Sequence, residues 1–232
     1  MKYLKPFLWC FAIILTVELI VVSNPDWRPI RIITKLMVVG SIFLFVLLQN
    51  IGRKTKSLLT IALICSLVGD IQLHYAGEYE SLFVGGLFSF LAAHVVYIIQ
   101  FSRNRNKEVG FLAPLLVLSA YALSIFWYLS DSLDTKALPV AIYILVLLTM
   151  ILFAYLRDDS MTDNSYILIL AGALMFMLSD SILAITRFKS DIPHSGIFVM
   201  GIYGIAQLLM AIGIVKSATA KLIEAQPPSY SS

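Results

Sequence analysis

The stretch SYILILAGALMFMLSDSILAITR, residues 165–187, decides the fold class of this chain. It is a continuous apolar run of the length that an α-helix needs to cross a bilayer, about 20 residues. Its one acidic residue, Asp180, lies well inside the run. A transmembrane β-strand would be about half as long and would alternate polar and apolar residues. We therefore predict a transmembrane helix that carries a carboxyl group within the membrane.

Seven further apolar runs of similar length precede or follow this stretch. The eight predicted spans are residues 3–22, 30–49, 57–75, 81–101, 110–130, 137–156, 165–187 and 194–216. The polar segments between them are too short to form a soluble domain. We therefore predict that residues 1–225 form a single all-α, integral membrane bundle of eight transmembrane helices. The polar, Pro- and Ser-containing tail of residues 226–232 is predicted to be disordered.

Composition excludes a soluble globular protein. Hydrophobic residues make up 59% of the 232 residues and charged residues 13%, against about 45–50% and about 25% in soluble domains. The net charge of +3 does not indicate a nucleic-acid partner, because the Lys and Arg residues lie in short loops between apolar runs. The predicted partner is the lipid bilayer, and the expected location is a bacterial inner (cytoplasmic) membrane, crossed several times.

The distribution of basic residues predicts the orientation of the bundle. An even number of spans places both termini on the same side of the membrane. Eleven Lys and Arg residues fall on that side, five fall on the opposite side, and Lys35 lies within a span. Since cytoplasmic loops carry the excess of positive charge, both termini are predicted to be cytoplasmic.

A short internal similarity relates the two halves of the chain. The third span contains GDIQL at residues 69–73, and the seventh contains SDSIL at residues 179–183. Both segments follow the pattern of a small residue, Asp, two residues and Leu, and they lie four spans apart. This spacing is typical of a four-plus-four parallel repeat, in which the two aspartates would lie at similar depth.

Several ionisable side chains lie within predicted spans, where lipid makes them costly. They are Glu18, Lys35, Asp70, His74, His94 and Asp180. A charged group near the bilayer centre costs about 2.5–3.5 kcal/mol, so the four carboxyl and amino groups would together cost about 12 kcal/mol if each faced lipid. We therefore expect these groups to converge on a common polar cavity in the outer half of the membrane, with His94 deeper.

Charge and helical spacing add detail to the expected cavity. Three carboxyls would oppose Lys35 alone in a low dielectric, so at least one carboxyl is expected to carry a proton at neutral pH. Tyr203 and Gln207 lie one turn apart on the eighth span. The neighbouring Gly201 and Gly204 allow either close helix packing or space for a substrate.

Structural roles compete with these functional interpretations. Lys35 could extend to the interface, Glu18 lies near its helix end, and His74 could be interfacial. A lone intramembrane His94 could simply be hydrogen-bonded across helices. A zinc site built from the histidines and aspartates has little support in the spacing, and the HExxH, GxSxG, Walker A and CxxC motifs are absent. No metal is predicted.

Five short motifs, in order along spans three to eight, carry a resemblance to a known family. They are Gly69-Asp70-x-x-Leu73; Gly86-Leu87-Phe88 followed by His94-x-x-Tyr97; Tyr143 followed by Met150; Ser179-Asp180-x-x-Leu183-Ala184 followed by Phe188; and Tyr203-x-x-Ala206-Gln207-x-x-Met210. On these residues, and over most of its length, the sequence resembles the YhhN-like lysoplasmalogenase family of polytopic membrane proteins.

The resemblance implies eight helices and hydrolysis of the vinyl ether bond of lysoplasmalogens to a fatty aldehyde and a glycerophospho-base. It also implies that Asp70 and Asp180 are the catalytic pair. The Lys-Pro pair of the family's second span is matched here only by Lys35, since Leu36 replaces the proline. The implied partner is a lysophospholipid substrate.

The chemistry of a vinyl ether fits two intramembrane carboxyls. Hydrolysis needs one protonated carboxyl as general acid and one carboxylate that stabilises the resulting cation or activates water. No cofactor, neither metal nor nucleotide, is required. Lys35 or Arg187 could hold the substrate phosphate. His94, Tyr203 and Gln207 would orient the head group or water, and Glu18 is a further predicted substrate-binding residue.

Two other classes of function use the same residues. A proton-coupled transporter could use the intramembrane aspartates as a relay, and a lipid-binding membrane protein would need no catalysis. Short loops and the absence of evident broken helices favour the hydrolase over the transporter. The oligomeric state is not specified by any of these patterns.

Overall fold

A computed structural model describes residues 1, 3–103, 105–157 and 163–224, and these residues form eight α-helices. The helices are α1 (Leu4–Ser23), α2 (Arg28–Leu47), α3 (Arg53–Tyr75), α4 (Glu80–Ser102), α5 (Leu112–Leu129), α6 (Ala137–Tyr155), α7 (Asp163–Phe188) and α8 (Ser195–Glu224). Each is long and apolar enough to cross a membrane. The predicted all-α bundle of eight spans is therefore confirmed, and the predicted tail, residues 226–232, lies outside the described residues.

Local sequence explains where the helices begin and end. The side chain of Asn24 accepts a hydrogen bond from the backbone N–H of Asp26 at 3.1 Å. This contact stabilises the tight turn between α1 and α2, and Pro29 follows in the first turn of α2, where a missing N–H costs nothing. Helix α8 continues to Glu224, eight residues past the predicted end, because its polar extension is made largely of good helix formers.

The helix contacts recur in the two halves of the chain. α1 contacts α2, α2 contacts α3 and α3 contacts α4; α5 through α8 repeat the same series. The halves meet through α4 on α6 and through α8 on α2 and α1. The α4–α6 and α8–α2 contacts correspond if the chain is divided after α4, whereas the α8–α1 contact has no counterpart of similar extent between α4 and α5 in the described residues. This arrangement accords with the four-plus-four parallel repeat, which stays a prediction.

Glycine allows α7 and α8 to approach closely. A Cβ atom added at Gly172 would lie 2.8 Å from the carbonyl oxygen of Ala206 and 3.0 Å from the backbone nitrogen of Met210. At Gly213 it would lie 3.0 Å from the carbonyl oxygen of Ser165. Small residues of this kind let membrane helices pack backbone against backbone, and they draw α8 into the centre of the bundle.

The outer surface of the bundle suits lipid. Trp9 of α1 is 76% exposed and Trp127 of α5 is 79% exposed. These two helices contribute few buried residues, whereas α8 contributes many. The exposed apolar side chains are those that a bilayer would cover.

We predict that Gly172→Ala lowers the stability of the purified protein. The added methyl group would meet backbone atoms of α8, which cannot move aside as a flexible side chain can, so the free energy of unfolding should fall by about 1–3 kcal/mol. Gly40→Ala is the matched control, because a Cβ there has no atom within 4 Å. Thermal unfolding in detergent measures the difference, and equal melting temperatures for the two variants would contradict the packing described.

We predict that the α4–α5 loop is cytoplasmic and the α5–α6 connection is on the opposite face. In a protein with Cys10→Ser and Cys65→Ser, Asp131→Cys should react with a membrane-impermeant maleimide in intact cells. Lys107→Cys should react only after the membrane is opened, because its loop lies on the side of the termini. The reverse pattern of labelling would invert the orientation.

Candidate active site

A polar cavity of about 250 Å³ opens among α2, α3, α7 and α8, at the end of the bundle where α3 and α7 finish. We call it the polar cavity. The ionisable side chains in its wall are Arg31, Lys35, Asp70, His74, Asp180 and Tyr203. The two aspartates, 110 positions apart in the sequence, therefore line the same cavity, as the cost of burying them separately led us to expect.

Asp70 forms a buried ion pair with Lys35. The Lys35 Nζ lies 3.2 Å from Asp70 Oδ1 and donates a hydrogen bond to the backbone oxygen of Asp70. The hydroxyl of Tyr203 donates to Asp70 Oδ2 at 2.8 Å. Since Asp70 is 1% exposed and Lys35 is 7% exposed, Lys35 does not extend to the interface. A cation and a hydroxyl donor together favour the ionised form of Asp70.

A chain of buried hydrogen bonds fixes Tyr203 from behind. Gln207 Nε2 donates to Ser66 Oγ at 3.0 Å and to the Tyr203 hydroxyl at 3.4 Å. The hydroxyl of Tyr97 donates to Gln207 Oε1 at 3.0 Å. Gln207 therefore lies behind the wall of the polar cavity and positions Tyr203, while Tyr203 itself faces the cavity.

Asp180 has a different partner. The hydroxyl of Tyr143, on α6, donates to Asp180 Oδ2 at 2.6 Å. None of the ion pairs among the described residues includes Asp180. A partly buried carboxyl that accepts from a neutral hydroxyl, with no cation paired to it among the described residues, is less costly to keep protonated than a carboxyl beside a cation. The two aspartates thus occupy chemically different surroundings.

Asp180 also lines a second, apolar cavity of about 60 Å³ enclosed by α4, α5, α6 and α7. Its wall is built from aliphatic and aromatic side chains such as Leu87, Ile125 and Leu147. Leu73, Phe90, Asp180 and Leu183 belong to both cavities. Asp180 therefore stands at the junction between a charged compartment and an apolar one.

His94 lies deeper than the two cavities. It is fully buried, and its ring packs against Phe176 at 4.8 Å and Tyr143 at 5.3 Å between centroids. Neither ring nitrogen has a hydrogen-bond partner among the described residues. The predicted binding residue therefore contacts the partner of Asp180 but does not line the polar cavity.

The two remaining predicted residues, Glu18 and Arg187, lie outside the wall of the polar cavity, and Glu18 contacts Arg31, a cation that the sequence analysis counted only as an orientation signal. Glu18 is fully buried, accepts a hydrogen bond from Thr34 and lies 3.6 Å from Arg31 Nε. Arg31 lines the polar cavity. Arg187 instead lies over the ring of Phe83 at 5.2 Å and outside that wall. The position of Arg31, one helical turn before Lys35, was the available signal.

Comparison with known proteins assigns a family. The model of the YhhN family matches residues 30–214. Lysoplasmalogenase TMEM86B of Homo sapiens is 31% identical over 179 residues, covering 77% of this chain and 72% of the relative. TMEM86B of Sus scrofa is 29% identical over 95% of this chain and 89% of its own. Lysoplasmalogenase TMEM86A of Homo sapiens is 25% identical over 84% and 81%.

No solved structure matches the chain significantly. The family match covers all the residues that line the polar cavity and extends over seven of the eight helices. The chain belongs to the YhhN family.

Proposed function

We propose that this protein is a membrane-embedded hydrolase that cleaves the vinyl ether bond of lysoplasmalogens in a bacterial cytoplasmic membrane. Relatives along most of the chain are named lysoplasmalogenases. The observation that carries the proposal is the position of Asp180, which lines both the polar and the apolar cavity. The vinyl ether of a lysoplasmalogen is likewise the point where a polar head joins an apolar chain.

The two cavities suit the two parts of such a substrate. The glycerophospho-base would occupy the polar cavity, where Arg31 offers a guanidinium for the phosphate. The first carbons of the alkenyl chain would occupy the apolar cavity next to Leu183 and Phe90. This placement puts the carbon–carbon double bond beside Asp180. Both cations have a carboxylate partner, but the Arg31 side chain is 31% exposed and contacts Glu18 at 3.6 Å, whereas the Lys35 side chain is 8% exposed and lies 3.2 Å from Asp70. Arg31 is therefore the more accessible candidate for the phosphate.

Protonation of the double bond is the first step of the proposed reaction. The carboxylic acid of Asp180 transfers its proton to the β-carbon of the vinyl ether, and the π electrons form the new C–H bond. An oxocarbenium ion and an Asp180 carboxylate result. Tyr143 donates to Asp180 Oδ2 and so stabilises the carboxylate as its charge develops.

Water completes the reaction. We assign the role of the carboxylate to Asp70, which lies on the wall of the same cavity and is paired with Lys35. Its negative charge would stabilise the cation, and it would accept a proton from the attacking water. The water oxygen bonds to the α-carbon and gives a hemiacetal. The hemiacetal C–O bond to glycerol then breaks: the proton that Asp70 took from water passes to the glycerol oxygen, the hemiacetal hydroxyl gives its proton to the Asp180 carboxylate, and the fatty aldehyde leaves with both aspartates in their starting states. The sum is one vinyl ether and one water converted to one aldehyde and one alcohol.

We predict that Asp70→Asn and Asp180→Asn each lower aldehyde release from a lysoplasmalogen by at least about a hundredfold, the usual contribution of a general acid or base. Asn matches Asp in shape but neither donates a carboxylic proton nor carries the carboxylate charge. Release of aldehyde by purified protein in detergent is the measurement. Asp131→Asn is the matched control, because Asp131 is exposed at the end of α5.

A second control lies in the substrate. The saturated ether analogue has the same head group and chain but lacks the double bond that accepts the proton, so it should bind without being cleaved. Wild-type rates in both aspartate variants would refute the assignment. Proton flux that depends on substrate, in liposomes and without release of aldehyde, would favour the transporter.

We predict that Arg31→Gln raises KM for a lysoplasmalogen by about 10- to 100-fold with a smaller effect on kcat, since a charged hydrogen bond contributes about 1.5–3 kcal/mol. Arg28→Gln is the matched control. Arg28 pairs with the exposed Glu78 at 3.4 Å and lies outside the polar cavity. An unchanged KM in Arg31→Gln would contradict the role in phosphate binding.

A further inference from the structure

A third cavity lies at the end of the bundle opposite the polar cavity. It measures about 140 Å³ and is enclosed by the start of α3 and the ends of α4 and α8. The polar residues in its wall are Thr55, Gln100, Arg103, Ser217 and Lys221, and we call it the basic cavity. It has room for a group several times the size of a water molecule, whose share of the liquid volume is about 30 Å³.

Among the residues that the structure describes, the charged side chains that line the basic cavity are both cations. Arg103 and Lys221 lie at its rim, and its described wall includes no Asp or Glu. Thr55 belongs to the first turn of α3, where the helix dipole favours an anion. Lys56, in the same turn, donates to the backbone oxygens of Leu47 and Gln49. Arg103 and the start of α3 therefore favour an anionic group at this position.

The buried polar side chains at the floor of the basic cavity are not needed to orient the protein in the membrane. Basic residues that only orient a membrane protein lie on solvated loops. Here Gln100 is 4% exposed and its Oε1 has no hydrogen-bond partner among the described residues. Ser217 is 5% exposed and accepts a hydrogen bond at 3.1 Å from Arg157. A buried acceptor left without a donor costs about 1–3 kcal/mol, so a ligand that donates to Gln100 would recover this cost.

The chain positions Arg157 behind Ser217 by specific contacts. The backbone N–H of Asn106 donates to the oxygen of Leu156 at 2.8 Å, and residues 105 and 157 form an isolated β-bridge. The guanidinium of Arg157 lies 5.6 Å from the centre of the Phe101 ring. Because Ser217 accepts from Arg157, its own hydroxyl proton is available to a ligand in the basic cavity.

We propose that the basic cavity binds a phosphoryl group that carries a neighbouring hydroxyl. The anionic oxygens would accept from Arg103, Thr55 and Ser217, and the hydroxyl would donate to Gln100 Oε1. Hydrogen phosphate and the head group of phosphatidylglycerol share this chemistry. Basic pockets between the cytoplasmic ends of membrane helices commonly hold anionic head groups. The site is separate from the polar cavity, and it stands whether or not the protein hydrolyses vinyl ethers.

The experiment compares wild-type protein with Arg103→Gln and Gln100→Leu in two arms. In the first, sodium phosphate is titrated at constant ionic strength and the melting temperature of delipidated protein is recorded. In the second, native mass spectrometry counts the phosphatidylglycerol retained from nanodiscs of phosphatidylcholine and phosphatidylglycerol. Each substitution should weaken binding about tenfold. A response to phosphate identifies the free anion as a ligand, and retention of phosphatidylglycerol alone identifies the lipid.

Lys107→Gln is the matched control, because it removes one positive charge from an exposed position on the same predicted face. An equal loss of binding in Lys107→Gln would mean that diffuse charge binds the anion and would overturn the proposal. Gln100→Leu removes no charge, so binding equal to wild type there would also overturn it, as would failure of wild-type protein to bind in both arms. If Gln100→Leu does not fold, Ser217→Ala decides the same question.

Discussion

The buried ion pair between Lys35 and Asp70 is the contact on which the polar half of this bundle depends. An isolated charge at this depth costs several kcal/mol, and removal of one partner from a buried pair costs about 3–5 kcal/mol. Lys35 of α2 therefore requires α3 beside it, and Tyr203 of α8 completes the coordination of Asp70. The same three helices are those that enclose the polar cavity together with α7, so satisfying the charge also shapes the cavity.

Hydrophobicity predicted the fold well, because an apolar run of about 20 residues in lipid satisfies its own backbone hydrogen bonds by forming a helix. All eight helices were located within a few residues, except at the end of α8. Apolar run length measures the thickness of the membrane, whereas a helix ends where backbone hydrogen bonding ends. At Lys216 those two criteria diverge, and α8 (Ser195–Glu224) continues as a helix past the end of the continuous apolar run at Val215.

The site was predicted in part, for reasons that are also physical. Cost in lipid singled out Asp70 and Asp180, and both line one cavity. The cost of an ionisable group in lipid could not identify Arg31. A basic residue near a helix end costs little there and resembles the basic residues that orient a membrane protein. Nor could that cost identify Tyr143 as the partner of Asp180, since a tyrosine within a span costs little and helical spacing on α6 says nothing of contacts with α7. Such pairings come from packing between helices.

Each aspartate receives its donor from the helix that precedes its own: an ammonium from α2 for Asp70 and a phenol from α6 for Asp180. Two carboxyls that share a single proton must change together. Here each carboxyl has its own donor on its own preceding helix, so a substitution at Lys35 acts first on Asp70 and one at Tyr143 acts first on Asp180. The acidity of the two groups can therefore be altered by different substitutions within the same bundle.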